Sequence, residues 1–122
     1  MASKRCNSIL IIDDDDSIRE TVQEALELEG FTVATATNGQ EGIEEIPKMD
    51  TPPCLILLDL MMPVMDGWAF VDALEKDSKL AGVPVVVISA FTEKSKSIHA
   101  QRVVRKPFEL DAPYEIAHKY CG

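Results

Sequence analysis

The sequence has no apolar run approaching the ~18 residues that a membrane-spanning helix needs. It also has no Walker-type Gly-rich loop, no GxSxG elbow and no HExxH pair. Those absences exclude the commonest designs of P-loop nucleotidases, serine hydrolases and zinc proteases. The three cysteines, Cys6, Cys54 and Cys121, are widely spaced and form no CxxC or Cys/His metal pattern. Cys54 adjoins a strongly apolar run and is expected as a buried thiol of a reducing compartment. Positive charge is scarce, with 12 Lys and Arg against 21 Asp and Glu and a net charge of −9. Such a surface repels phosphate backbones and anionic membranes, so neither nucleic acid nor a membrane is an expected partner. The stretch from Met1 to Asn7 lacks the apolar segment of a secretory leader, and a cytoplasmic location is expected.

What remains is a chain of 122 residues, 46% hydrophobic, the size of one domain with a real core. Short apolar runs alternate with amphipathic stretches. The runs are Ile9–Ile12, Phe31–Ala36, Cys54–Leu58, Val85–Ile88 and Val103–Val104. Between them, helical spacing appears over Ser17–Glu29, with Gly30 as a stop, and over Asn38–Ile46. A further helix opens at Asp66-Gly67, and a last one spans Glu109–Tyr120, with Pro113 fitting its first turn. Strands alternating with helices predict an α/β fold with a parallel sheet. The first, third and fourth runs are apolar throughout, as strands covered on both faces must be, whereas the second and fifth fit sheet edges. Right-handed crossovers then favour a flavodoxin-like three-layer sandwich, five strands in the order 2-1-3-4-5, as a single domain over residues 1–122. In that order the ends of strands one and three flank the binding crevice.

Acids stand at those two ends. Asp13, Asp14, Asp15 and Asp16 follow the first run, and Asp59 follows the third. Ionised carboxylates held together repel strongly, and a hard cation such as Mg²⁺ resolves the conflict with oxygen ligands. Acids that merely begin a helix explain Asp15 and Asp16, with Ser17 and Glu20 fitting a capping box. They do not explain Asp59, a charge closing an apolar strand. Ser89 ends the fourth run and Lys106 lies just past the fifth, so a hydroxyl and an ammonium join the same edge. Together these groups can hold the oxygens of a phosphoryl group.

The stretches Ile11-Ile-Asp-Asp-Asp15, Leu57-Leu-Asp-Leu-Met-Met-Pro-Val-Met-Asp-Gly67, Val87-Ile-Ser-Ala90 and Arg105-Lys-Pro-Phe108 resemble the receiver domain of two-component response regulators. They fall in order along nearly the whole chain. The resemblance implies that Asp59 is the phosphoacceptor. It implies that Asp13, Asp14, Asp59 and the Met61 carbonyl hold Mg²⁺, while Ser89 and Lys106 bind phosphoryl oxygens. It further implies a signalling switch rather than a turnover enzyme. The donor would be a sensor histidine kinase or a phosphotransfer protein, and the output would pass through protein–protein contact with a downstream target that the sequence does not name. The Met start and the last helix ending at Gly122 favour a standalone chain, with an excised domain as the alternative.

The sequence departs from that pattern between Ser89 and Lys106, where the family has about five more residues. Residues 91–102 lack a helical stripe, so a shortened or irregular helix is expected there. Val103 replaces the aromatic residue that many members carry three positions before the Lys. Met61 and Phe91 are apolar where the attacking water is expected, which would slow dephosphorylation. His99 and His118 have no partner pattern and are expected at the surface, with Trp68 half-buried beside the acceptor loop. Two other readings stand beside this one. A pseudo-receiver would bind partners without phosphorylation, and its support is the altered 91–102 stretch. An Asp-nucleophile phosphohydrolase is disfavoured, because the position of its second acid holds Met61.

Overall fold

The structure is a computed structural model that describes residues 7–89, 100, 102–106 and 111–121. Five strands form one sheet: β1 (Ser8–Ile12), β2 (Thr32–Ala36), β3 (Leu55–Asp59), β4 (Val85–Ser89) and β5 (Arg102–Arg105). Their order is β2-β1-β3-β4-β5 and every pairing is parallel, as the alternating pattern predicts. The described helices are α1 (Asp16–Leu28), α2 (Gly39–Glu45), α3 (Gly67–Lys76) and α4 (Asp111–Cys121), with a short 3-10 turn at Ile46–Lys48. Among the described residues no helix is long and apolar enough to cross a membrane. The helix expected over residues 91–102, and with it Phe91 and His99, falls outside the described residues except for Ala100 and Arg102.

The period of a strand sorts its side chains onto two faces. Ile9, Ile11, Leu55, Leu57, Val86 and Ile88 point to one face, where Val22 and Leu26 of α1 and Ile116 and Ala117 of α4 cover them. Leu10, Ile12, Ile56, Leu58 and Val85 point to the other, under Phe70, Val71 and Leu74 of α3 and Ile46 of the 3-10 turn. Each such Leu or Ile contributes roughly 1.5–3 kcal/mol when fully buried. Both faces therefore demand apolar residues, which is why β1, β3 and β4 read as unbroken runs and are buried along their whole length. The edge strands are wetter. β2 grades from exposed Thr32 to buried Ala36, and in β5 only Val104 is shielded.

Two local expectations need correction. Asp15, not Ser17, caps α1, its carboxylate accepting from the Ile18 N–H at 3.1 Å. An Asp oxygen reaches that orphan donor as well as a hydroxyl does, and it also suits the positive end of the helix. Cys54 is not a free thiol but is joined to Cys121 in a disulfide, with the Cα atoms 5.8 Å apart. A last helix seen only as a periodic stripe does not reveal which strand its final turn will meet. His118 is exposed, as expected, although its Nε2 lies 3.2 Å from Glu29 Oε1 and its ring stands edge-on to Phe31 at 5.3 Å.

Candidate functional site

The carboxyl ends of β1 and β3 sit side by side, since Ile12 pairs with Leu58. Asp13, just past β1, and Asp59, the last residue of β3, therefore meet across the crevice. Asp13 is 2% exposed and Asp59 6% exposed, while Asp14 reaches solvent. One carboxylate oxygen from each of Asp13, Asp14 and Asp59 lies within 4.8 Å of the others. Lys106 closes the cup from the β5 side. Its Nζ is 3.1 Å from Asp13 Oδ2 and 3.6 Å from Asp59 Oδ2, so one ammonium bridges two buried acids. Ser89 is fully buried at the end of β4, paired with Arg105, and its carbonyl accepts the Lys106 N–H at 3.0 Å. The topology has thus gathered Asp13, Asp14, Asp59, Ser89 and Lys106 on one edge of the sheet.

Repulsion shapes the electrostatics. Burial first, then the neighbouring charge of Asp13, push the Asp59 carboxyl up to about 6; Lys106 acts in the opposite direction, and Asp14 adds further repulsion. A hydrogen bond from the Met61 N–H favours the carboxylate. Three acids facing one ammonium leave the cup short of positive charge. Oxygen donors at this spacing fit a hard divalent cation, and Mg²⁺ suits a site that keeps room for water and phosphate oxygens. The donor set is therefore one that could hold a divalent metal ion.

The walls are braced by groups that periodicity does not reveal. Asp13 N–H donates to the Ala36 carbonyl at 3.1 Å, and Asp13 Oδ1 accepts the Asp15 N–H at 2.9 Å. Arg19, on the first turns of α1, donates from Nη1 to the Asp13 carbonyl at 2.9 Å and pairs with Asp16. The β3–α3 loop is held from below by Gly67, whose N–H donates to the Leu60 carbonyl at 3.0 Å. A Cβ at Gly67 would come within 2.9 Å of Leu60 Cα and 3.0 Å of the Asp59 carbonyl oxygen, so the approach requires glycine. Gly39, at the start of α2, ties the same loop sideways by donating to the Met65 carbonyl at 2.9 Å. At the loop's tip Val64 is 83% exposed with φ at 67°, a left-handed conformation that costs a β-branched residue energy. Met61 is 44% exposed beside the cup, and Trp68 is half-buried in the first turn of α3. Arg19, Gly39 and Val64 carried no signal in the hydrophobic pattern. Only the motif around Asp59 located the loop that carries Val64.

A family model described as the response regulator receiver domain matches residues 9–117. Among curated proteins, the chain is 34% identical over 108 residues to the DNA-binding dual master transcriptional regulator RpaA of Synechocystis sp., a match covering 84% of this chain and 44% of that protein. It is 36% identical over 111 residues to the regulatory protein AtoC of Escherichia coli, covering 86% of this chain and 23% of that one. The chain spans less than half the length of these curated relatives. Among solved structures, the chemotaxis response regulator CheY4 of Vibrio cholerae aligns with a TM-score of 0.80 at 28% identity, covering 94% of this chain and 98% of that one. The receiver domain of NtrX from Brucella abortus aligns with a TM-score of 0.81 at 29% identity, covering 93% and 97%.

Proposed function

The chain belongs to the response regulator receiver domain family of two-component systems, and from that premise we propose that it is a phosphorylation-activated signalling switch with Asp59 as its phosphoacceptor. The observation that carries this reading is the cup itself: three carboxylate oxygens within 4.8 Å of one another, spanned by the Lys106 ammonium. The phosphoryl donor is a sensor histidine kinase or a phosphotransfer protein. The Asp59 carboxylate attacks phosphorus in line and displaces the donor's nitrogen, forming an acyl phosphate. Lys106 exchanges its contact with Asp59 for a phosphoryl oxygen, and the Ser89 hydroxyl donates to another. Asp13, Asp14, Asp59 and the Met61 carbonyl would hold Mg²⁺, which would supply positive charge to the phosphoryl oxygens.

Residues 1–122 act as one receiver domain in the cytoplasm. The chain catalyses only its own phosphorylation and dephosphorylation, and its output passes to another protein. The net charge of −9 argues against direct contact with nucleic acid or membrane. Incubation with acetyl phosphate and Mg²⁺ followed by intact mass spectrometry tests the reading. Wild type should gain about 80 Da, the mass of one phosphoryl group on a carboxylate nucleophile. The gain should vanish in Asp59→Asn and in excess chelator. A folded wild type that never gains that mass would overturn the assignment in favour of a phosphorylation-independent binding module.

A further inference from the structure

The same strand that carries Asp59 at one end meets a second piece of chemistry at the other. Cys54 immediately precedes β3, Cys121 closes α4, and a disulfide joins them across 67 residues. Cys121 is 7% exposed and Cys54 is half-buried, both against the core face that α1 and α4 cover. Two features make this a site with two usable states. First, Cys54 Sγ lies 3.2 Å from the Ser8 carbonyl oxygen, so a reduced Cys54 has an acceptor for its S–H already in place. Second, α4 has contacts besides the bond. Ile116 and Ala117 are buried at 1% and 0%, and His118 engages Glu29 and Phe31. These contacts precede the final turn, Lys119 to Cys121, which the disulfide ties to the start of β3 and where Tyr120 also packs against the core.

We propose that Cys54 and Cys121 form a redox modification site that exchanges with a low-molecular-weight thiol–disulfide couple of the glutathione type, and that its state sets how tightly the end of α4 is held on β3. In the reducing direction a thiolate attacks Cys54 Sγ, the more accessible sulfur. The bond to Cys121 breaks, its electron pair leaves on Cys121 Sγ, and that sulfur takes a proton. A second thiolate then attacks the mixed disulfide at its glutathione sulfur, releasing the small disulfide and leaving Cys54, which also takes a proton. Two thiols are oxidised and one protein disulfide is reduced, a balance of two electrons. The reverse sequence closes the bond with the small disulfide as oxidant. Exchangeable disulfides of this kind serve as redox sensors where the surroundings are reducing. The proposal does not depend on phosphorylation, since Asp59 stands at the opposite end of β3.

The test uses the chain with Cys6→Ser, so that only the pair can react. Samples equilibrated at graded ratios of oxidised to reduced glutathione are quenched with an alkylating agent, mapped by mass spectrometry and followed by hydrogen exchange. Oxidising ratios should give a Cys54–Cys121 cross-linked peptide. Reducing ratios should give two alkylated cysteines, with a glutathione adduct at Cys54 between them. Amides of the last turn of α4 should exchange at least tenfold faster in the reduced form, and Cys121→Ser should exchange at that faster rate in both buffers. Asp59→Asn should titrate as the parent does, which separates this result from the phosphorylation reading. Cysteines that alkylate fully at every ratio would overturn the proposal. So would a cross-link that survives every ratio, or equal exchange in the two forms.

Discussion

The two ends of β3 differ in what they ask of the protein. At its amino end the chain is apolar and cross-linked: Cys54 is bonded to Cys121, and Leu55 is fully buried. At its carboxyl end Asp59 is pressed against Asp13 and near Asp14, with the Lys106 ammonium and the Met61 N–H opposing their repulsion. One end lowers the energy of the folded state and the other raises it. The site proposed for a dication and a phosphoryl group would have to hold like charges together before the ligand arrives, and the rest of the fold has to hold them there.

Removing the tie is the strongest way to break the contrast. Cys121→Ser should cost about 4 kcal/mol of stability, because the bond closes a loop of 67 residues. Denaturant unfolding measures it. Mg²⁺ affinity, read from Trp68 fluorescence, should not move; a parallel loss would mean the two ends are not separate. Gly67→Ala attacks the other end. Its Cβ meets Leu60 Cα at 2.9 Å, so the β3–α3 loop must shift. A cost of about 3 kcal/mol is expected, and here Mg²⁺ affinity should fall with stability.

Asp59→Asn should do the opposite and stabilise the apo protein by about 2 kcal/mol at pH 7. The sign follows from the direction of the shift. The folded carboxyl sits near 6, against an ordinary value of 3.8. Between those values the folded state holds a proton that the unfolded chain has released. Stability therefore falls as pH rises through that window, and the full penalty remains above it. The advantage of the Asn variant should disappear below about pH 4, and Mg²⁺ should stabilise wild type alone. A variant less stable than wild type at pH 7 would contradict the repulsion. The smallest expected effect is at the loop tip. Val64→Gly removes the side chain that resists φ at 67° and should gain about 1 kcal/mol, visible as a rise of a few degrees in Tm.

The parts of the site legible in the sequence were those whose residue type is abnormal for its place. A carboxylate ending an apolar strand is costly unless used, so Asp59 stood out, and Asp13 and Asp14 followed from the crossover rules. The braces were not legible. Arg19 looks like any helix cation until its Nη1 is found on the Asp13 carbonyl. Val64 looks like any loop residue until its φ is known. The disulfide was missed for a related reason: with three cysteines and no spacing pattern, pairing depends on where the last helix ends over the sheet.

Sequence alone determined the architecture of this protein, because period-2 and period-3.6 patterns state locally which face of each element must leave water. It also determined the inventory of reactive groups. Only the tertiary structure decided which distant groups touch: Lys106 with both Asp13 and Asp59, Gly39 with the β3–α3 loop, and Cys54 with Cys121. Those contacts depend on register and on the packing of helices against the sheet, and a difference of one residue in either would send each side chain to another neighbour.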